Sequence, residues 1–457
     1  MRKTVARGME SRVPLLVFGF IMLIAVIVSV ALSHIPQQRT AGGLAGVGLV
    51  SQIGSKSGSL PAQNPVIAYG TVSDSFGQSL KLAVCGDFSC TTSQQYLLDH
   101  SKYAWPGSIV KDTGGLPFIV YLLQETSWNF KLFALKCLTA DCSSNVKTLL
   151  LDNTGNGVVR TSQVLVDSAG LPVFFYEAIG QIHNIRCTTQ DCSQWQDTLV
   201  VSDPHIVMYG EPSAVLGSDG LPVFAYVSGT QLRAVKCGDI NCNTISANSV
   251  IDTGIFFDEV VDVFMMMDID LGIGSDGMVI GSYFRCSFKN SSWECNPTYL
   301  KTFHCSNLAC TSFTVSTLDE GMWVGAPNEI IIGSDGLPLI AYWGDKSPVA
   351  SDNGIPALNK FRYGDTAGEH LRVAHCKNIV CNMVDKITAI PITPYGVKFY
   401  LSASTGSDGL PVVVFMDEYD ADMKVLHCST VDCSNTINNI LTIIEANAGV
   451  FASMAVG

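Results

Sequence analysis

Positive charge is scarce in this chain. Of 457 residues only 27 are Lys or Arg, against 40 Asp or Glu, and the formal net charge at pH 7 is −13. A nucleic-acid partner needs a basic face, so this balance argues against one. Charge of either sign is low, at 15%, while 47% of the residues are hydrophobic, enough to bury a large core. Sustained helical periodicity is missing after residue 33. Also missing are G-x-S-x-G, H-E-x-x-H and a P-loop, and with them the chemistries those motifs carry.

One long apolar run is present. Arg2, Lys3, Arg7 and Arg12 precede an uncharged stretch, Val13 to Ser33, with only Arg39 soon after it. As a helix this stretch is roughly 32 Å long, about one bilayer core. The charge bias predicts a cytoplasmic 1–12, one transmembrane anchor over 13–33, a Gly/Ser-rich linker over 34–64 and an exported remainder, 65–457. A cleaved signal peptide is the rival reading, since Ala31 to Ser33 has the small-x-small form of a cleavage site. The expected location is membrane-anchored and extracytoplasmic (cell surface or periplasm), or secreted if the segment is removed.

The 16 cysteines fall in pairs. Seven read C-x-x-x-x-C: Cys85 with Cys90, Cys137 with Cys142, Cys187 with Cys192, Cys237 with Cys242, Cys305 with Cys310, Cys376 with Cys381 and Cys428 with Cys433. The eighth, Cys286 with Cys295, is spaced differently. An even count in an exported chain predicts eight local disulfides, acting as staples rather than as the scaffold itself. Zinc prefers C-x-x-C knuckles close together, and these pairs recur some fifty residues apart.

The first cysteines step along the chain by 52, 50, 50, 68, 71 and 52 residues. A second signature keeps the same beat: GSDGLPVFAY from Gly217, GSDGMVIGSY from Gly274, GSDGLPLIAY from Gly333 and GSDGLPVVVF from Gly406. Degenerate copies end at Tyr69, Tyr121 and Tyr176. A period near fifty marks a solenoid, a propeller or an array. Asp-Gly is a tight-turn signal, and the short apolar runs between turns read as strands covered on both faces. The expected fold is all-β, a seven-bladed β-propeller with four-stranded blades, preceded by one N-terminal transmembrane helix. A string of separate hairpins is the alternative. The G-S-D-G turn joins strands A and B of each blade, and the cysteine loop joins C and D. The closing aromatics Tyr69, Tyr121, Tyr176, Tyr226, Tyr283, Tyr342 and Phe415 are expected to plug the joints between blades. Asp219, Asp276, Asp335 and Asp408 are expected to form turns rather than ring a metal. Lys136, Arg186, Lys236, His304, His375 and His427 each precede a blade cysteine, either as polar strand ends or as a basic ring for an acidic sugar.

The repeat resembles the "GSDGLPV…Y…L…C…C" units of little-characterised exported bacterial propellers, over about residues 65 to 457. More distantly it is similar to sialidase-type propellers with BNR (Asp-box) repeats and to propeller lectins. The likeness implies a propeller but no catalytic residue: no blade carries S-x-D-x-G-x-T-W, and the arginines show no sialidase pattern.

Departures from the repeat point to a site. Tyr226 to Cys237 spans 11 residues, but Tyr283 to Cys305 spans 22 and Tyr342 to Cys376 spans 34. A third enlargement, Phe256 to Asp268, joins blade 4 to blade 5. In an antiparallel meander these B–C and D–A connections share one face, where repeat proteins collect binding loops. The candidate ligand-binding residues are Trp293, Tyr299, Trp343, Phe361, Arg362, Tyr363 and Asp365. No cofactor or structural metal is expected, although Asp258, Glu259, Asp262 and Asp352 offer oxygen ligands for calcium at no recognised spacing. The reading is a non-catalytic binder of a glycan or cell-surface protein. A sialidase-like glycoside hydrolase or lyase, and a purely structural envelope protein, are the alternatives. A converging pair of carboxylates would favour the hydrolase. Finally, Ser453 to Gly457 matches the strand-A register of Ser213 to Gly217, so the C-terminal segment is expected to close the ring in blade 1, with Gly46 to Gly54 as its competitor.

Overall fold

The structure, a computed structural model, describes residues 64–456 apart from 72–78, 102, 127–128, 155–158, 207–210, 255–267, 289–294, 322–323, 346–368, 391–396, 418–421, 436–439 and 446–447. The expected cytoplasmic, transmembrane and linker segments up to residue 63 lie outside the described residues. Among the described residues no helix is long and apolar enough to cross a membrane.

Seven antiparallel sheets form the blades of a propeller. Blade 4 shows the pattern most simply. Strand A is Ser213–Leu216, B is Pro222–Ser228, C is Gln231–Cys237 and D is Ile245–Thr253, each paired with the next. Strand B is buried along its whole length, whereas D faces solvent at most positions. That gradient explains the runs of apolar residues without alternation: B strands are covered on both faces by neighbouring blades. The A strands of the other blades are Ala104–Lys111, Ile269–Ile273, Asn328–Ile332 and Val397–Thr405, with blade 3 using two short pieces, Val159–Thr161 and Leu165–Val166.

Blade 1 takes its A strand from the far end of the chain. Ala448–Ala455 pairs with Val66–Thr71, matching Ser453 to Ala68 as Ser213 matches Ala225 in blade 4. The A strands then adjoin one another in an unbroken circle, with Ala448–Ala455 lying between those of blades 7 and 2. Closure leaves no open sheet edge at the inner ring. The competing segment 46–54 lies outside the described residues.

The repeated G-S-D-G has a steric reason. Gly220 sits at φ +74°, and Gly277, Gly336 and Gly409 at +77° to +80°, a backbone region that side chains disfavour. The first glycine is required differently: a Cβ on Gly217 would lie 2.8 Å from Oδ1 of Asp219. That carboxylate accepts the Leu221 N–H at 3.1 Å and the Lys236 ammonium at 2.6 Å. Blades 2 and 3 solve the same turn in reverse. Asp112 and Asp167 occupy the first position, accept from Leu116 and Leu171, and pair with Lys136 and Arg186. In blades 5 to 7 the imidazoles of His304, His375 and His427 lie 2.8 to 3.0 Å from the turn aspartates. The row of basic residues is thus a set of strand ends tied to turns.

All seven C-x-x-x-x-C pairs are disulfides: Cys85 to Cys90, Cys137 to Cys142, Cys187 to Cys192, Cys237 to Cys242, Cys305 to Cys310, Cys376 to Cys381, and Cys428 to Cys433. The second cysteine of each pair does more than staple. Cys90, Cys142, Cys192, Cys242, Cys310, Cys381 and Cys433 all adopt positive φ, between 49° and 55°. Each donates its N–H to the carbonyl three residues earlier, as Cys90 does to Asp87 and Cys433 to Thr430. The cross-link thereby holds a left-handed residue that costs about 1–2 kcal/mol when unconstrained. The spacing alone gave no sign of that strained backbone. Cys286 is also disulfide-bonded; the side chain of Cys295 lies outside the described residues. Seven local bridges fit an oxidising compartment.

The seven aromatics at the ends of the B strands are all buried. In four blades the tyrosine hydroxyl also donates to an acid on strand D of the preceding blade. Tyr69 reaches Glu445, Tyr121 reaches Asp99, Tyr283 reaches Asp252 and Tyr342 reaches Asp319. A cation from the tyrosine's own blade joins each acid: Lys81, Lys147, Lys301 and Arg372 respectively. The plugs are therefore polar clamps as well as packing.

Candidate functional site

The described part of the chain contains a cavity of about 230 Å³ on the propeller axis. Its walls are the first residues of the A strands and the segments that lead into them, contributed by all seven blades. It therefore lies at the end of the axis served by the D–A and B–C connections.

The position four residues before each turn's first residue forms its floor. Around the ring, from blade 1, it holds Ser453, Ser108, Gln163, Ser213, Asp270, Glu329 and Ser402. These side chains knit successive blades together. Ser453 accepts the Ile109 N–H at 3.2 Å, Ser108 that of Val164 at 2.9 Å and Gln163 that of Ala214 at 3.1 Å. Ser213 accepts from Leu271 at 3.0 Å, Asp270 from Ile330 at 2.8 Å and Ser402 from Met454 at 3.2 Å. Each bond runs from the residue after the ring position in one blade to the ring side chain of the blade before. Most members of this ring are thus structural.

The two acids do more than this. Asp270 also accepts from Gln163 and from Ser213, the latter at 3.3 Å. Glu329 hydrogen-bonds Asp270, and burial with the Asp270 charge pushes the Glu329 carboxyl well up. Burial pushes Asp270 up too, while its many donors oppose this. The two carboxyl groups titrate as a pair, with Glu329 pushed up by burial and by the Asp270 charge.

Two residues nearer the mouth, on the same side of each strand, the lining changes. Blade 4 presents Glu211 and blade 5 presents Asp268. Burial, then the negative charges of Glu211 and Asp270, pushes the Asp268 carboxyl up to about 8; Arg160 and the Asn328 N–H oppose them. Arg160 of blade 3 donates to Glu211 at 3.2 Å and is the only cation among the described lining residues. Across the axis, blades 1 and 2 present an aromatic wall: Phe451 and Trp105 stack with centroids 5.0 Å apart and planes at 17°. The Trp105 indole nitrogen and Oδ2 of Asp268 are both shielded from solvent without a hydrogen-bond partner.

The residues anticipated for binding are placed only in part. Tyr299 lies within strand C of blade 5, Cys295–Cys305, opposite Arg285, half-buried. Trp343 lies near the end of strand B of blade 6, Pro338–Asp345, half-buried, and its backbone N–H donates to the Pro327 carbonyl at the cavity wall over 3.1 Å. Neither side chain lines the cavity, and no disulfide cysteine does. Trp293, Phe361, Arg362, Tyr363 and Asp365 lie outside the described residues, as do Asp258, Glu259, Asp262 and Asp352. Among the described residues no group of three or more His, Cys, Asp or Glu is placed to hold a metal ion.

No family model matches the chain, and no curated protein matches it. Solved structures do. A protein from Lactobacillus plantarum aligns over 86% of this chain and 98% of its own, with 12% identity and a TM-score of 0.51. An ulvan lyase, a polysaccharide lyase, aligns over 74% and 82% with 10% identity and a TM-score of 0.44. Virginiamycin B lyase from Staphylococcus aureus aligns over 74% and 83% with 13% identity and a TM-score of 0.39. At these identities the likeness is one of propeller fold alone, and no family model or curated protein confirms the sialidase-type resemblance.

Proposed function

We propose that this is an exported, membrane-tethered, non-catalytic propeller that binds a glycan at the mouth of the axial cavity. One observation carries the reading: a stacked aromatic pair faces carboxyl groups across a shared cavity. A sugar ring has an apolar face to stack and a rim of hydroxyls to hydrogen-bond, and it needs both kinds of wall. The cavity is below the ~300–1,000 Å³ of drug-sized pockets, which suits one terminal sugar better than the middle of a chain. The tether and surface location rest on the apolar run at 13–33 and on the disulfides.

A second reading, a glycoside hydrolase or lyase, is favoured by Asp268, a carboxyl group that keeps its proton near neutral pH beside a second acid, Glu211. A glycan-array screen of the full chain tests both. Binding that falls at least tenfold in Trp105→Phe and Asp268→Asn, with recovered glycan unchanged in length, supports the binder. Cleaved glycan supports the enzyme. An array without a hit, or hits indifferent to both substitutions, removes the cavity as the site.

A further inference from the structure

We propose that the glycan taken up at the axis carries a free amino group, seated against Glu211, Asp268 and the Asp270–Glu329 pair. This rests on the glycan-binding reading and adds the chemistry of the ligand.

The cavity is rich in carboxyl groups and, among the described lining residues, has one cation, Arg160. On the side formed by blades 4 to 6, the charged groups facing the axis are all carboxyl: Glu211, Asp268, Asp270 and Glu329. Asp270 has committed its oxygens to Gln163, Ser213, the Ile330 N–H and Glu329. Asp268 Oδ2 has no partner although solvent does not reach it. An ammonium group offers three donors and no acceptor, the complement of such a wall. Hydroxyls could fill the same space, but being neutral they would leave the negative charge of this wall unbalanced. A uronate or sulfated sugar fares worse, because its charge repeats that of the wall and Arg160 is already paired with Glu211. The aromatic pair opposite is compatible with a cation too, since the face of an indole attracts one. The positive charge of an amine would offset the burial and repulsion that keep Asp268 protonated, so its arrival should displace a proton to solvent.

The test is titration calorimetry on the full chain at pH 7, with a glucosamine tetrasaccharide and its N-acetylated counterpart, in two buffers of different ionisation enthalpy. The amino form is expected to bind at least tenfold more tightly, with net proton release. The preference should shrink to within about twofold in Asp268→Asn. Glu211 is half-exposed, so Glu211→Gln is the variant least able to disturb folding, and it should lower the preference as well. Equal or tighter binding of the N-acetylated form overturns the proposal and leaves the glycan reading standing. So does a preference that survives both substitutions. If neither oligosaccharide binds and other glycans on the array do, the amine is wrong; if no glycan binds at all, the glycan reading itself fails.

Discussion

The hydroxyl of Tyr121, on strand B of blade 2, donates to Oδ2 of Asp99, on strand D of blade 1, over 2.8 Å. Burial opposes the charge on Asp99, yet Ser101, the Lys147 ammonium and Tyr121 together hold its carboxyl down to about 2. A carboxyl with a depressed folded value stabilises the protein above its ordinary value near 3.8 and ceases to do so as pH falls through about 2. Asp99→Asn should therefore cost about 2 kcal/mol at pH 7 and almost nothing at pH 2. Urea unfolding at the two pH values reads the difference, and an equal cost at both would mean the clamp acts through shape alone.

Glu177 predicts the opposite slope. It is 1% exposed, one carboxylate oxygen lacks a partner, and burial pushes the group up to about 7 against the opposing Gly180 N–H and Arg160. A raised folded value is harmless below about 4.5, destabilises progressively as pH rises from there to about 7, and reaches its full cost above that. Glu177→Gln should raise the melting temperature at pH 8 and leave it almost unchanged at pH 4.5. A variant less stable at pH 8 would show that the charge is needed where it sits.

The turn can be exchanged between blades. Gly217→Ala places a Cβ against Asp219 and should disturb its bond to Lys236, costing on the order of 1–3 kcal/mol. The double change Gly217→Asp with Asp219→Gly copies the D-T-G-G form of blade 2 and should recover most of that loss. Thermal unfolding of the single and double variants decides. A double variant no better than the single one would mean the two turn forms are not equivalent.

Mapping of non-reduced peptides should recover eight local links, the seven C-x-x-x-x-C bridges and Cys286–Cys295. The first seven are present in the structure. A link from Cys286 to any other cysteine would contradict the expected pairing.

Ring closure has its own measurement. Deleting 448–457 removes the inner strand of blade 1 and the Ser453 and Met454 contacts to blades 2 and 7. It should cost several kcal/mol and broaden unfolding, whereas deleting 46–54 should cost little. The reverse outcome would mean that the first blade is built from the N-terminal side.

The blades were legible because period, turn and cysteine spacing repeat in plain letters, and Ser453 could be set in register by counting back from Gly457. The axial site was not. Its floor holds Ser, Ser, Gln, Ser, Asp, Glu and Ser, a column that appears only when seven segments are aligned on their turns, and each member alone reads as an ordinary strand residue. A signal was nonetheless present: Asp270 and Glu329 interrupt apolar A strands at one shared position. Phe451 and Trp105 gave less warning, because they meet only when the two ends of the chain do. Loop length drew attention to Tyr299 and Trp343, yet length says where a loop is and not where the hollow is.

The strand that completes blade 1 also sets a timetable. Val66 meets its partner Ala455 only after the several hundred residues between them have been made. At ordinary elongation rates that wait lasts roughly 20–80 s. Through it, the second blade lacks its neighbour's inner strand and the apolar strip of Val66–Thr71 stays uncovered on one side. Six blades can assemble in the order they are made, but the circle becomes one cooperative object in a single late event. A chain cut short by a few residues is thus left with a gap rather than a slightly smaller ring, and a protease or chaperone can tell the two apart.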